Sequence, residues 1–157
     1  MGNVLVAYFS ATGTTEILAK KLATAVDGDL HKIITKRLYT TQDLNWMNGN
    51  SRSSVEMKNT DSRPEITNMV QNIDEYDTIY VGFPIWWYIA PTIINTFLEK
   101  YNLYGKTIIP FATSGGSGMG RTNDFLKDSC YGAILKSGRR FNSSVTVEEL
   151  REWSNSL

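Results

Sequence analysis

Val4-Leu5-Val6-Ala7-Tyr8-Phe9, followed at once by Ser10-Ala11-Thr12-Gly13-Thr14-Thr15, is the stretch on which the fold turns. Six residues without a charge, rich in β-branched and aromatic types, make a strand covered on both faces. The next six are a turn of hydroxyls and one glycine. Beyond them Leu18, Leu22 and Val26 recur every four residues while Lys20 and Lys21 face elsewhere, which predicts a helix ending near Gly28. Strand, short turn, helix is half of a βαβ unit.

The pattern repeats along the chain. Strands are expected over residues 30–35, 78–83, 107–112 and, briefly, 133–135. Helices are expected from Ile66, Met69, Val70 and Ile73 after Pro64, from Ile94, Phe97, Leu98 and Tyr101 after Pro91, and over residues 122–130. Thr146 with Glu149 three residues on is a capping box opening a last helix that carries Leu150 and Trp153. Five strands alternating with about five helices predict an α/β domain built on a parallel sheet with helices on both faces. Residues 37–64 fit this alternation least. They are polar, with Tyr39, Trp46 and Met47 scattered among them and room for one short helix near residues 43–47 or 53–58.

At 157 residues the chain is sized for one domain. Sixteen Lys and Arg balance sixteen Asp and Glu. That balance argues against a non-specific nucleic-acid binder and against a polybasic membrane anchor. No apolar run reaches the roughly 20 residues that span a bilayer. Cys130 is the single cysteine, so an internal disulfide is impossible. With no basic leader before the first strand, the expected compartment is the cytoplasm.

In an open α/β sheet, ligands lie beyond the carboxyl ends of the strands. Three strand ends here carry unusual loops, each short of charge. Ser10, Thr12, Gly13, Thr14 and Thr15 combine backbone that can approach a ligand closely with hydroxyls and the free N–H groups of a helix start, a set suited to phosphate. The loop lacks the Gly-Lys-Ser/Thr ending of a nucleoside-triphosphate loop and the three spaced glycines of a dinucleotide loop. Taken alone, its Ser and Thr also read as ordinary helix caps. Pro84, Ile85, Trp86, Trp87 and Tyr88, after the third strand, place adjacent aromatics where a flat ring would stack; alone they read more readily as core or as an oligomer contact. Thr113, Ser114, Gly115 and Gly116, after the fourth, permit close backbone approach to a ring, or form a plain flexible turn.

Together these loops resemble the flavodoxin family over nearly the whole chain. Ser10-x-Thr12-Gly13-x-Thr15 is similar to its FMN phosphate loop. Pro84-Ile85-Trp86-Trp87 and Thr113-Ser114-Gly115-Gly116 are similar to its two ring-binding loops. The resemblance implies a three-layer, flavodoxin-like sandwich with strand order 2-1-3-4-5 and FMN at the switch point between strands one and three. It implies that these residues hold FMN, that Trp86 or Trp87 stacks on the ring, that the flavin does the redox chemistry, and that no separate catalytic triad exists. Two departures qualify the electron-carrier pattern. Such carriers are usually strongly acidic, whereas this chain is neutral and residues 36–63 hold a small positive excess. Carriers often place a glycine in the first ring loop, where its peptide turns to bond the one-electron-reduced ring; residues 84–91 contain none. Two-electron chemistry is the corresponding expectation.

Rival readings fit less well. A receiver domain needs carboxylates where Phe9-Ser10 and Phe83-Pro84 stand, and a low-molecular-weight tyrosine phosphatase needs cysteine and arginine in the first loop. His31, the only histidine, is expected to be structural, Cys130 a buried hydrophobe, and a metal site absent. Two partnerships remain open: a redox partner protein, as for an electron carrier, or NAD(P)H with a quinone or similar small acceptor. Trp46 and Met47 would cover a substrate pocket or serve a homodimer contact.

Overall fold

The computed structural model describes residues 3–114 and 116–157. The strands are β1 (Asn3–Tyr8), β2 (Asp29–Lys32), β3 (Tyr76–Pro84), β4 (Thr107–Thr113), β5 (Ile134–Leu135) and β6 (Arg139–Arg140). The helices are α1 (Thr14–Val26), α2 (Arg52–Lys58), α3 (Thr92–Glu99), α4 (Thr122–Leu126) and α5 (Val147–Asn155). All strand pairings are parallel, in the order β2-β1-β3-β4-β5, with β6 also on β4. The expected order and the two-faced helical cover are both present.

Alternation along the strands divides the core into two layers, because successive side chains point to opposite faces. Leu5, Ala7, Ile79, Val81 and Phe83 face α3, where Ile93, Ile94, Phe97 and Leu98 are buried. Val6, Tyr8, Tyr80, Ile109 and Phe111 face α1 and α5, meeting Leu18, Leu22, Leu150 and Trp153. The α5 N-cap forms as expected, with Thr146 Oγ1 accepting from the Glu149 N–H at 3.1 Å.

Three details differ from the sequence expectation. The fifth strand is split. β5 pairs with Thr107 and Ile108, and β6 with Phe111 and Ala112. Pro110 lies between, on the side of β4 that Ile108 and Ala112 turn to this neighbour, and it has no N–H to donate. The ladder breaks opposite it and resumes beyond.

The helix expected after Pro64 is absent. Residues 65–68 instead run extended along the outer side of the segment after β2. The Lys36 N–H donates to Glu65 O at 2.8 Å and the Thr67 N–H to Ile34 O at 2.9 Å. Asn68 donates to Lys32 O and accepts from the Ile34 N–H. This pairing satisfies backbone groups that helix formation would otherwise have claimed, leaving only one short 3-10 turn, Ile73–Glu75, before β3. The helix expected over residues 122–130 is likewise divided, into α4 and a 3-10 turn at Lys127–Cys130.

Candidate functional site

Parallel strands bring the ends of β1, β3 and β4 to one edge of the sheet, and with them the three loops. α1 begins at Thr14, so the N–H groups of its first turn have no carbonyl partner within the helix. Gly13, at φ +97°, turns the chain into the helix with open space where a side chain would sit. Ser10 Oγ accepts from the N–H groups of Gly13 at 3.0 Å and Glu16 at 3.2 Å, which draws the loop into a concave arc. Thr15 is buried, and its hydroxyl is hydrogen-bonded to that of Thr113 at 2.8 Å. It therefore ties the first loop to the third. Its hydroxyl faces inward, and its backbone N–H is the donor it can offer an anion.

No lysine or arginine stands within the arc. The nearest charge is Glu16, held by Lys32 at 3.3 Å, Lys20 at 3.5 Å and the Tyr8 hydroxyl at 3.0 Å. The hydrogen bond from Tyr8 and the lysine beside it keep the Glu16 carboxyl below its usual range. The Tyr8 phenol is pushed up to about 12, by burial first and by Glu16 second. An anion here would be held by helix dipole and N–H groups.

The second loop leaves β3 at Pro84. The Ile85 N–H donates to Thr113 O at 2.8 Å, joining it to the third loop. Trp86 and Ile89 exchange two backbone hydrogen bonds, at 3.0 and 3.2 Å, around Trp87 at φ +49° and Tyr88 at φ +70°. Two positive-φ residues between a hydrogen-bonded pair make a type I′ turn, a geometry that favours Asn-Gly. Here it is built from two large aromatics and leaves Tyr88 69% exposed. Gly120, at φ +53°, abuts this turn: a β-carbon on it would lie 2.4 Å from the Tyr88 carbonyl oxygen. In the third loop Ser114 Oγ accepts from the Gly116 N–H at 3.2 Å and bonds Ser117 O. Gly115, assigned to the site from sequence, lies outside the described residues.

A cavity of about 650 Å³ opens between these loops, within the range of small-molecule sites. Ile85, Trp86, Trp87 and Tyr88 line one side and Ser114, Gly116 and Ser117 another. The remaining wall is Leu44, Trp46 and Ser53, all from the segment between β2 and β3. That segment is anchored. Tyr39 packs edge-on against Trp86 (5.3 Å) and Phe9 (5.5 Å). The Arg52 guanidinium sits 3.8 Å over the Tyr39 ring and pairs with Glu56 at 2.9 Å, and the Tyr39 hydroxyl donates to Glu56. Burial, reinforced by Glu56, raises the Tyr39 phenol far above its ordinary range.

The family model for flavodoxin matches residues 3–157. The chain belongs to the flavodoxin family. Among solved structures it is similar to two proteins named as flavoproteins. One is from Bacteroides eggerthii, 47% identical, covering 99% of this chain and 98% of that one at a TM-score of 0.94. The other is from Bacteroides uniformis, 47% identical, 98% of each chain, TM-score 0.92. A Lactobacillus acidophilus flavoprotein in complex with FMN shares the fold at 22% identity, 98% of this chain and 99% of that one, TM-score 0.76. Among curated proteins, 47 residues are 34% identical to an uncharacterized NAD(P)H oxidoreductase, YcaK of Escherichia coli. That match spans 29% of this chain and about a quarter, 24%, of the relative.

Flavodoxins carry FMN at the β1/β3 switch point, and the chain's own geometry fits it. The N–H cradle after β1 suits the phosphate, the aromatic cavity suits the ring, and a buried hydroxyl without a partner, Ser53 Oγ, stands in the cavity wall. All the assigned residues within the described part lie at this sheet edge. Trp86 is committed to the Phe9–Tyr39 cluster, at 5.7 Å from Phe9, whereas Trp87 and Tyr88 are the more open rings. Sequence reading missed Tyr39, Leu44, Arg52, Ser53, Glu56 and Gly120. A polar segment gives no local signal of where it returns, and only the concentration of aromatics in residues 37–64 hinted at it. Among the described residues no cluster of His, Cys, Asp and Glu suits a metal, and no helix is long and apolar enough to cross a membrane.

Proposed function

We propose that the protein moves electrons through FMN held by the first turn of α1 and by the loops after β3 and β4. The observation that carries this reading is the convergence of a dipolar phosphate cradle and an aromatic cavity on one sheet edge, tied together by Thr15–Thr113 and Ile85–Thr113. When bound, the flavin supplies the redox chemistry. The chain's part is to bind the phosphate through N–H groups, to orient the ring between aromatic walls, and to keep water from its faces. The decisive test is an absorption spectrum of the purified protein, with the released ligand identified by mass. Flavin bands and FMN support the reading; a colourless protein that refuses added FMN ends it.

A second reading, an FMN oxidoreductase that takes hydride from NAD(P)H and reduces a quinone or similar acceptor, is favoured by one observation. Among the described residues the cavity is lined by no charged side chain, and it opens beside Trp46, 71% exposed. That suits a flat neutral molecule better than a charged protein partner. The short likeness to YcaK agrees with nicotinamide use. Mixing the holoprotein anaerobically with NADPH or NADH separates the two. Prompt bleaching of the flavin supports the reductase; bleaching that needs an added reductase protein supports the carrier. Photoreduction reports on the missing glycine: accumulation of a stable one-electron-reduced flavin would overturn the expectation of two-electron chemistry.

A further inference from the structure

Three serines at the start of α2 are buried: Ser51, Ser53 and Ser54. Two satisfy each other. Ser51 Oγ donates to Ser54 Oγ at 2.9 Å and accepts from the Ser54 N–H. The third does not share in this. Ser53 is 2% exposed, its backbone N–H is spent on Asp43 O at 3.0 Å, and its hydroxyl has no partner. A buried polar atom without a hydrogen bond is costly, and folded proteins hold few of them. Ser53 is also a wall residue of the cavity between the ring loops. The residue with the orphaned hydroxyl thus borders the space that could satisfy it.

We infer that Ser53 is a cofactor-binding residue, whose hydroxyl completes its hydrogen bonding on the polar edge of the flavin ring. The inference rests on the FMN reading above. It changes the role of residues 37–64, from a cover laid over the cavity to a third binding element beside the loops after β3 and β4. The isoalloxazine edge alternates carbonyl oxygens, ring nitrogens and one N–H, so a serine hydroxyl can serve it as donor or acceptor. The surroundings hold the Ser53 backbone in position. Arg52, the preceding residue, is locked over Tyr39 and against Glu56, and donates to Arg37 O at 2.6 Å. The residue's backbone is thus placed before the ring arrives, and little ordering of the chain remains to be done on binding.

This makes a signature that a merely structural serine would not give. Ser53→Ala removes an unsatisfied group from the apoprotein and a satisfied one from the holoprotein. The apoprotein is expected to melt higher, by roughly 2–6 °C. The FMN dissociation constant, read by quenching of free FMN fluorescence, is expected to rise about 3- to 10-fold. Ser53→Cys, slightly larger, leaves no cavity and weakens the hydrogen bond, so it guards against a folding defect and is expected to lose affinity in the same direction. An unchanged dissociation constant in both variants overturns the inference, as does a loss of affinity accompanied by a lower apoprotein melting temperature. Wild-type protein that does not bind FMN would instead remove the cofactor reading itself, and the same titration distinguishes that case.

Discussion

Tyr88→Gly should stabilise the protein while weakening its hold on FMN, two effects of opposite sign from one substitution. Tyr88 stands at φ +70° in the turn between Trp86 and Ile89. An L-residue in the left-handed region costs roughly 1–2 kcal/mol. Because the side chain is 69% exposed, its removal sacrifices little buried surface. Glycine gives back about 0.5–1 kcal/mol through the greater freedom of the unfolded chain. The net gain is about 0.5–1 kcal/mol, or roughly 1–4 °C in Tm for a chain of this size. Loss of the ring from the cavity wall should cost about 0.5–1.5 kcal/mol of aromatic contact, a rise of roughly 2- to 12-fold in the FMN dissociation constant. Tyr88→Ala is the matching control, since it loses the same ring but keeps a β-carbon at positive φ. Thermal unfolding of the apoproteins and FMN titration of all three read both effects. If Gly is no more stable than Ala, the strain assigned to this turn is not there. If neither variant loses affinity, Tyr88 is not part of the ring site.

Further outcomes follow from the contacts around the cavity. Thr113→Val strands the buried Thr15 hydroxyl and should cost about 1–3 kcal/mol in urea unfolding, together with weaker FMN binding as the first and third loops separate. Glu56→Gln leaves the Arg52 charge, 12% exposed in its side chain, without its counter-ion; a loss of about 3 kcal/mol is expected, with Arg52→Met and Glu56→Gln combined recovering part of it. Burial holds the His31 imidazole below its ordinary pKa of 6.5. The unfolded chain therefore binds the proton more readily than the native one, and stability is lost as pH falls through and below about 6.5. Tm measured between pH 7.5 and 5.5 should show this slope, and His31→Gln should flatten it.

The sheet was legible because a buried parallel strand is uncharged and almost wholly apolar, as residues 4–9, 78–83 and 107–112 are. The three loops were legible only together: hydroxyls, aromatics and glycines each have an ordinary structural reading, and their shared position at the strand ends is what singled them out. What escaped reading depends on partners distant in sequence. Ile66, Met69, Val70 and Ile73 have helical spacing, yet the carbonyls and N–H groups around Ile34 claimed that segment first. Pro110 did carry a sign, since a proline within a strand foretells a gap in the neighbouring ladder, and the split into β5 and β6 is that gap. The turn at Trp87-Tyr88 gave none, because its sequence is the opposite of what a type I′ turn prefers. Arg52 and Glu56 look like an ordinary i,i+4 surface pair until Tyr39 is found beneath them.

The split of the outer strand has a consequence for how molecules of this protein meet. A long, flat sheet margin is a template on which another chain can add a strand, and aggregation often begins there. Here one margin is broken into two pieces of two residues each around Pro110, too short to template anything. The other is overlaid where the chain leaves β2, by residues 65–68 with Asn68 clasping the backbone on either side of Ile33. Addition of a strand at either margin is thereby discouraged, and the exposed rings of Trp46 and Tyr88 at the cavity mouth are among the apolar groups left to meet a neighbour at high concentration.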